Sequence, residues 1–297
     1  MEHDLLVGNP NSIIVDTTIV CHSGCFFCWR ANKKEHLRNI LTRHGDQNVI
    51  DFNLFKKIID NAVCYDNIRW ISLCGPMGEP LTNKDFTVLT RYVHDCNHFT
   101  TFKINTNGMH LDIHDPELLL NTVTYFSISV DSIRPETYKK IHGVSCLNKI
   151  ITHVRNLVEY KRKNGSTAAI FVRFTENQHN RGEFKEFEQF FSDLGVDGIN
   201  YTKVHNFIGV IPELSDQKAI RQCNQGKTIN FNFLGEMTTC CINWRLNPVF
   251  GSIAGNTIEE MWNGPRKKWW DERTHSEPCT SCSGVGPHVQ KKGLADA

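Results

Sequence analysis

Short apolar runs alternate with longer amphipathic ones along most of this chain. Six runs, Ile13–Val20, Ile68–Leu73, Thr101–Asn105, Thr124–Val130, Ala169–Thr175 and Gly198–Val204, are β-branched or aromatic in character and bounded by polar or glycine-bearing segments. That pattern predicts six strands. Between them, Phe52–Val63, Asp85–Asp95, Cys146–Lys163 and Phe184–Leu194 have the periodicity of amphipathic helices. In the third, Leu147, Ile150, Ile151, Val154, Leu157 and Val158 share one face, while Lys149, Arg155 and Lys161 supply polar ones. Strands alternating with helices imply parallel pairing through right-handed crossovers. The fold class is therefore α/β, a partial six-unit barrel that falls short of the eight units of a full (β/α)8, TIM-like barrel.

The alternation stops near Asn206–Ser215, and the chain beyond is richer in Gly, Cys and Trp. This divides it into a barrel, residues 1–212, and a small C-terminal domain, residues 213–297. Gln290–Ala297 has the composition of a frayed tail. No internal repeat or low-complexity segment is present.

Composition narrows the function classes. The 297 residues are 40% hydrophobic and 22% charged, with a net charge of +1, which is ordinary for a globular protein in water. Such a balance gives no long-range attraction to nucleic acid or to an anionic membrane. The most basic stretch, Arg266–Arg273, mixes both signs and suits a solvated helix face. No run approaches the roughly 18–20 apolar residues of a membrane span, and Met1–Asp4 leads into no signal-like apolar core. Twelve cysteines without a secretion signal argue for metal ligation in a reducing compartment, the cytoplasm, rather than for disulfides.

The candidate chemistry gathers where the strands end. Cys21–Cys28 follows the first strand, Gly75–Pro80 the second and Asn105–Gly108 the third; Ser129–Asp131 ends the fourth, Arg173 lies late in the fifth and Tyr201–His205 closes the sixth. Parallel barrels carry their active sites on that face, so one site built from all six units is expected. Three thiols, Cys21, Cys25 and Cys28, bunch in a loop containing Gly24, whereas cysteines that merely pack are scattered. Iron–sulfur clusters are held by thiolates, mostly four of them, so three imply an iron left open; zinc normally takes two local ligand pairs. Arg173, inside an apolar strand, needs a partner if its guanidinium is buried.

Cys21-x3-Cys25-x2-Cys28, with aromatic Phe27 before the last cysteine, resembles the signature of the radical S-adenosylmethionine (SAM) superfamily. The resemblance implies a [4Fe–4S] cluster on those three cysteines, with the amino and carboxylate groups of SAM on its fourth iron. It further implies an external one-electron reductant of flavodoxin or ferredoxin type, cleavage of SAM to a 5′-deoxyadenosyl radical, and hydrogen abstraction from a substrate. Gly78, Glu79 and Pro80 match the end of the family's Gly-Gly-Glu-Pro motif, with Met77 in place of the first glycine, and would hold the SAM amino group. Asn105, Asn107, Ser129 and Asp131 resemble the strand ends that contact the ribose and methionine carboxylate; Arg173 would meet a carboxylate of SAM or substrate. Glu136–Gly143 is similar to another stretch of the superfamily, with His142 where Arg is frequent, and no role is assigned to it.

Further on, Cys223, Gly235-x4-Cys240 and Cys279-x2-Cys282 resemble the twitch extension, a shorter relative of SPASM, which implies a second [4Fe–4S] cluster on Cys223, Cys240, Cys279 and Cys282. Phe250–Ile253 and Thr257–Trp262 look like its linker and helix. Cys241 could replace Cys240, although the glycine spacing favours Cys240; a four-cysteine zinc site is the alternative. Cys64, Cys96 and Cys146 fit packing positions. Cys74 and Cys241 fit either packing or hydrogen-atom donation to a substrate radical.

The function expected is a two-electron oxidation of an alcohol in a small polar substrate, a sugar or aminocyclitol, with the second cluster accepting an electron. Radical epimerisation of a sugar or peptide, using a thiol donor, comes next. Ribosomal-peptide modification comes third, since the eleven or so residues before the first strand leave no room for a leader-binding domain. A non-catalytic iron–sulfur or zinc protein is the reading from another class; the incomplete N-terminal ligand set argues against it.

Overall fold

A computed structural model describes residues 6–45, 47–211, 223–282 and 289–292. All six predicted strands are present: β1 (Ser12–Val15), β2 (Trp70–Ser72), β3 (Thr101–Thr106), β4 (Tyr125–Ser129), β5 (Ala169–Glu176) and β6 (Gly198–Lys203). They pair in sequence order and in parallel. β1 stops five residues short of the predicted Val20. Past Val15 the chain turns away to the 48–50 segment, with Ile19 N–H donating to Asn48 O (2.9 Å) and Ile50 N–H to Thr17 O (3.0 Å).

The predicted helices correspond to α3 (Phe52–Ala62), α4 (Phe86–Asp95), α7 (Leu147–Asn164) and α8 (Phe184–Leu194). Three more lie between units: α2 (Lys34–His44), α5 (Pro116–Thr122) and α6 (Pro135–His142), and a single turn, α1 (Trp29–Asn32), follows the cysteine loop. α5 and α6 are too short to show a period but carry end signals. Asp115 accepts from Glu117 N–H at the start of α5, and α6 opens on Pro135 and closes on Gly143 at φ +71°.

The sheet does not close. On its β1 edge it continues into the C-terminal part: β7 (Thr228–Phe231) runs parallel to β1, and β8 (Glu236–Thr238) and β9 (Val249–Ser252) extend it antiparallel. Two short helices, α9 (Ile258–Met261) and α10 (Lys267–Glu272), follow. On the other edge, β10 (Val289–Lys292) pairs antiparallel with β6. This corrects the frayed tail predicted for Gln290–Lys292, where backbone pairing overrides an unpromising composition; residues 293–297 of that tail lie outside the described residues. The boundary expected at residues 212 and 213 also lies outside them. The architecture is an α/β partial barrel whose sheet is shared with a C-terminal domain. Among the described residues no helix is long and apolar enough to cross a membrane.

Outward-facing strand residues such as Ile13, Ile71, Ile104, Phe126 and Phe174 are fully buried against the helices. Phe174 meets Phe187 of α8 at 5.0 Å between ring centres, and Phe187 meets Phe191 at 4.7 Å. The inward face is different. Ser72, Lys103 and Tyr125 share one level of the register, Asn105 and Ser127 the next, and Ser129, Arg173 and Asn200 a third. Full barrels fill this space with layers of branched apolar side chains; here it is polar and partly open. A second small core, with Trp29, Ile40, Met77, Phe233 and Trp244, joins the segment around α1 and α2 to the C-terminal domain.

Phe187→Ala removes the central ring of the α8 contact and should cost about 3–5 kcal/mol, read as a lowered urea midpoint against the wild-type protein.

Candidate active site

The cysteine loop has no regular structure of its own and is clipped to the end of α6. Gly24 N–H donates to His142 O (2.8 Å) and Phe26 N–H to Ile141 O (3.0 Å), satisfying carbonyls that a helix end leaves without partners. The approach is close enough that a Cβ on Gly143 would stand 2.8 Å from Gly24 O. Cys28 N–H then donates to Cys25 O (3.0 Å), closing the turn that starts α1. Trp29 anchors the far side: it is fully buried, its indole N–H donates to Pro76 O (2.7 Å), and its ring stacks on Trp244 at 5.9 Å.

Cys21, Cys25 and Cys28 are free and half-buried. Burial pushes all three thiols up, Cys28 to about 11, and the neighbouring thiols add to the shift of Cys25. Thiols in such a place keep their protons until a metal's charge makes thiolates favourable. Arg30, bonded to Ile19 O and to Met77 O (3.1 Å), sets a positive charge near Cys21 and Cys28. The donor set therefore fits a cationic cluster with an open iron.

Sequence reasoning left His142 without a role, yet it touches the loop directly. Its Nδ1 lies 3.3 Å from Cys25 Sγ, and its Nε2 faces Val130 O (3.1 Å) and Asp131 Oδ2 (3.3 Å), with the ring stacked on Tyr138 at 4.4 Å. Two acceptors at Nε2 place a proton there. Asp131, at φ +63°, spends its other oxygen on Thr175 N–H (2.6 Å), so its carboxylate faces His142 and β5.

Glu79 is likewise committed to protein donors. It is buried, with Oε1 accepting from Thr106 Oγ1 (2.5 Å) and Leu81 N–H (3.2 Å), and Oε2 from Asn107 N–H (2.7 Å). Gly78 before it could carry no side chain, since a Cβ would meet Thr18 O at 2.5 Å. Asn107 passes the constraint on, donating from Nδ2 to Ser23 Oγ (3.1 Å) with Cys21 Sγ at 3.9 Å. Phe27 is half-buried and packs edge-on against Phe26 at 5.2 Å; Ser129 is half-buried beside Arg173 in the register.

A cavity of about 640 Å³ runs through the barrel, from Asn67 and Trp70 at the start of β2 to Gly75 past its end. Lys103, Asn105 and Arg173 line it, and so do Cys74, Cys241 and His205. The Arg173 guanidinium donates to Asn105 Oδ1 (3.1 Å) and Ser127 Oγ (3.3 Å); Tyr125 and Asn200 complete the network at 3.0 Å. Burial, aided by the Arg173 charge, pushes Lys103 down to about 8. Asp16, counted inside the first strand by its apolar flanks, instead turns from the end of β1 toward the β2 loop. It accepts from Met77 N–H (3.2 Å), and burial raises it to about 7.

Cys223, Cys240, Cys279 and Cys282 line a second cavity of about 40 Å³, with Ile208, Trp269 and Pro278 in its wall. Cys241 lines the barrel cavity instead, while Gln225 and Ile242 belong to both walls. Burial pushes Cys240 well up and Cys279 to about 11. Four thiols in a wall without charged side chains among the described residues suit a cluster that supplies its own positive charge. Among the described residues no three His, Cys, Asp or Glu side chains close around a single ion, so each cysteine set is a lining rather than a formed coordination sphere.

Comparison with known proteins agrees with this arrangement. The radical SAM superfamily matches residues 15–187, and an iron–sulfur cluster-binding domain, SPASM, matches residues 223–283. A probable GTP 3′,8-cyclase of Saccharolobus islandicus is 25% identical over 202 residues, 67% of this chain and 58% of that protein. The GTP 3′,8-cyclase of Nautilia profundicola is 26% identical over 193 residues, 56% of this chain and 57% of that one. The match thus spans under two thirds of these relatives' length. Among solved structures, Streptococcus suis SuiB bound to precursor peptide SuiA superposes with a TM-score of 0.67 at 14% identity, covering 92% of this chain and 70% of that one. BtrN in complex with AdoMet and 2-DOIA gives 0.58 at 14%, covering 98% of both. At such identities the likeness is one of fold.

The buried carboxyls make stability depend on pH. Asp16 and Glu79 titrate near 7 when folded, against ordinary values of 3.8 and 4.5, because burial disfavours their charge. Their stabilising contribution is full below about pH 4 and is lost as the pH rises through 7. Relative to Asp16→Asn, the wild-type protein should lose up to about 1.4 kcal/mol per pH unit between about pH 4 and 7. Urea unfolding of the anaerobic protein at stepped pH measures this; a constant difference would contradict it.

Proposed function

Since the chain belongs to the radical SAM superfamily, we propose that it abstracts a hydrogen atom from a small polar substrate in the barrel cavity and oxidises an alcohol there by two electrons. Its cofactors are SAM and two [4Fe–4S] clusters. When bound, they supply a hydrogen-abstracting carbon radical, at the expense of one electron from an external flavodoxin- or ferredoxin-type reductant, and an acceptor for the substrate's remaining electron. Cys21, Cys25 and Cys28 would hold the first cluster, and Cys223, Cys240, Cys279 and Cys282 the second.

One observation carries the oxidative reading. Cys240 and Cys241 are consecutive, yet they line the four-thiol cavity and the barrel cavity respectively, so the two compartments share a wall. Asn107 and Glu79 fix the loop above the cavity; Gly78 lets the β2 loop pack against Thr18 O. Arg173, Asn105 and Ser129 would orient SAM and substrate. Asp131 supports the loop through His142, and Phe27 shields its edge. No disulfide joins any of the twelve cysteines, and for the compartment we take the reducing cytoplasm.

A second reading has its own support. Cys74 and Cys241 both line the barrel cavity, and burial pushes Cys74 well up and Cys241 to about 12. Both therefore stay as S–H, the form that returns a hydrogen atom, and would make the reaction an epimerisation of a sugar or peptide that is redox-neutral for the substrate. The thiyl radical left behind would return to S–H by taking a proton and one electron from the external reductant. The similar proteins are named for GTP, or were solved with a peptide or 2-DOIA, so a polar substrate, rather than one compound, is proposed.

Anaerobically reconstituted protein should hold about eight irons and release 5′-deoxyadenosine when reduced with SAM. Cys21→Ala should abolish that release. Cys240→Ala should lose about half the iron while still cleaving SAM. In D2O, an oxidised product carries no solvent deuterium at carbon and an epimer carries one. Wild-type holoenzyme that never cleaves SAM would refute the proposal.

A further inference from the structure

The wall of the barrel cavity is charged with one sign. Arg69 stands at its N-terminal rim and Lys103 and Arg173 lie inside, while among the described residues no Asp or Glu lines it. No ion pair among the described residues involves Lys103 or Arg173. Arg173 spends its Nη2 on neutral acceptors, Asn105 and Ser127, and its Nε is buried without a hydrogen-bond partner. The Lys103 ammonium lies 4.9 Å from the centre of the Tyr125 ring. Ser72, level with Lys103 in the register, has a fully buried hydroxyl that also lacks a partner.

Desolvated cations held close together repel each other and are stabilised by a counter-charge. Lys103 feels its neighbour here: burial first, and then the Arg173 charge, push it below its ordinary value. Asp16, the carboxyl whose field reaches Cys74 and Cys241, pairs with neither cation and is bonded to Met77 N–H. The described wall of the cavity therefore supplies donors and positive charge and leaves the negative partner to come from a ligand. A wall of one sign also raises the local concentration of ligands of the opposite sign.

We propose that the substrate of this cavity carries an anionic group, a carboxylate or a phosphate, that seats between Lys103 and Arg173. This rests on the functional reading above, in that the cavity is the substrate site. SAM also brings a carboxylate, so the test separates the two sources. The holoenzyme, with and without SAM, is labelled with trace acetic anhydride, and Lys103 acetylation is followed by peptide mass spectrometry against exposed Lys267. Inorganic phosphate should protect Lys103 in the SAM-loaded enzyme, whereas glucose should not. Calorimetry should show phosphate binding weakened at least about tenfold in Lys103→Met and largely retained in Lys103→Arg.

Protection by SAM alone, to the extent phosphate gives, would assign the pair to the cofactor and overturn the proposal. So would unchanged labelling with phosphate. A preparation that releases 5′-deoxyadenosine yet shows no protection loses the anion site and keeps the radical chemistry; one that binds phosphate but never cleaves SAM does the reverse.

Discussion

The cysteine loop takes its shape from backbone hydrogen bonds that belong to another element. Its N–H groups at Gly24 and Phe26 complete the last turn of α6, and α6 is itself held through its own His142 to Val130 and Asp131, just past the end of β4. Position of the thiols is thus a property of the fourth unit as much as of the first. Glu79 does the same from the second unit to the third, through Thr106 and Asn107. Four strand ends are tied into one rigid rim, on which an exposed metal edge can be held still.

Much of this was legible in the sequence. Short β-branched or aromatic runs bounded by polar or glycine-bearing segments marked all six barrel strands, because both the run and its flanks are local features. Pairing of β7 with β1 left none: Ser12 and Thr228 are register partners far apart in the chain, and a parallel contact at that distance has no local signature. α6 was missed for its brevity, and His142 with it, since its importance comes from where Gly143 turns the chain. Asp16 was hidden by the apolar run around it. The protein partners of Asp131 and Glu79 follow from burial, which motif matching does not register. Cys240 lines the cavity of Cys223, Cys279 and Cys282, while Cys241, which also feels Cys223, lines the barrel cavity.

Leaving the barrel open has a physical counterpart in its interior. A closed ring of eight units would pack the centre with branched side chains. Here the inward positions carry Lys103 and also Asn105, Ser127, Arg173 and Asn200, and the hydrogen bonds of the last four brace one another without filling the volume. Exposed sheet edges invite unwanted pairing, and both are covered, one by β7 and its hairpin and the other by β10. The hydrophobic stabilisation comes from the outer face, which frees the inner one for chemistry.

Cys240 and Cys241 fall in a turn that Asn243 N–H closes on Cys240 O (3.1 Å), with one thiol lining each cavity. A single peptide unit then separates the two compartments, so the partition there is as thin as a covalent chain can make it.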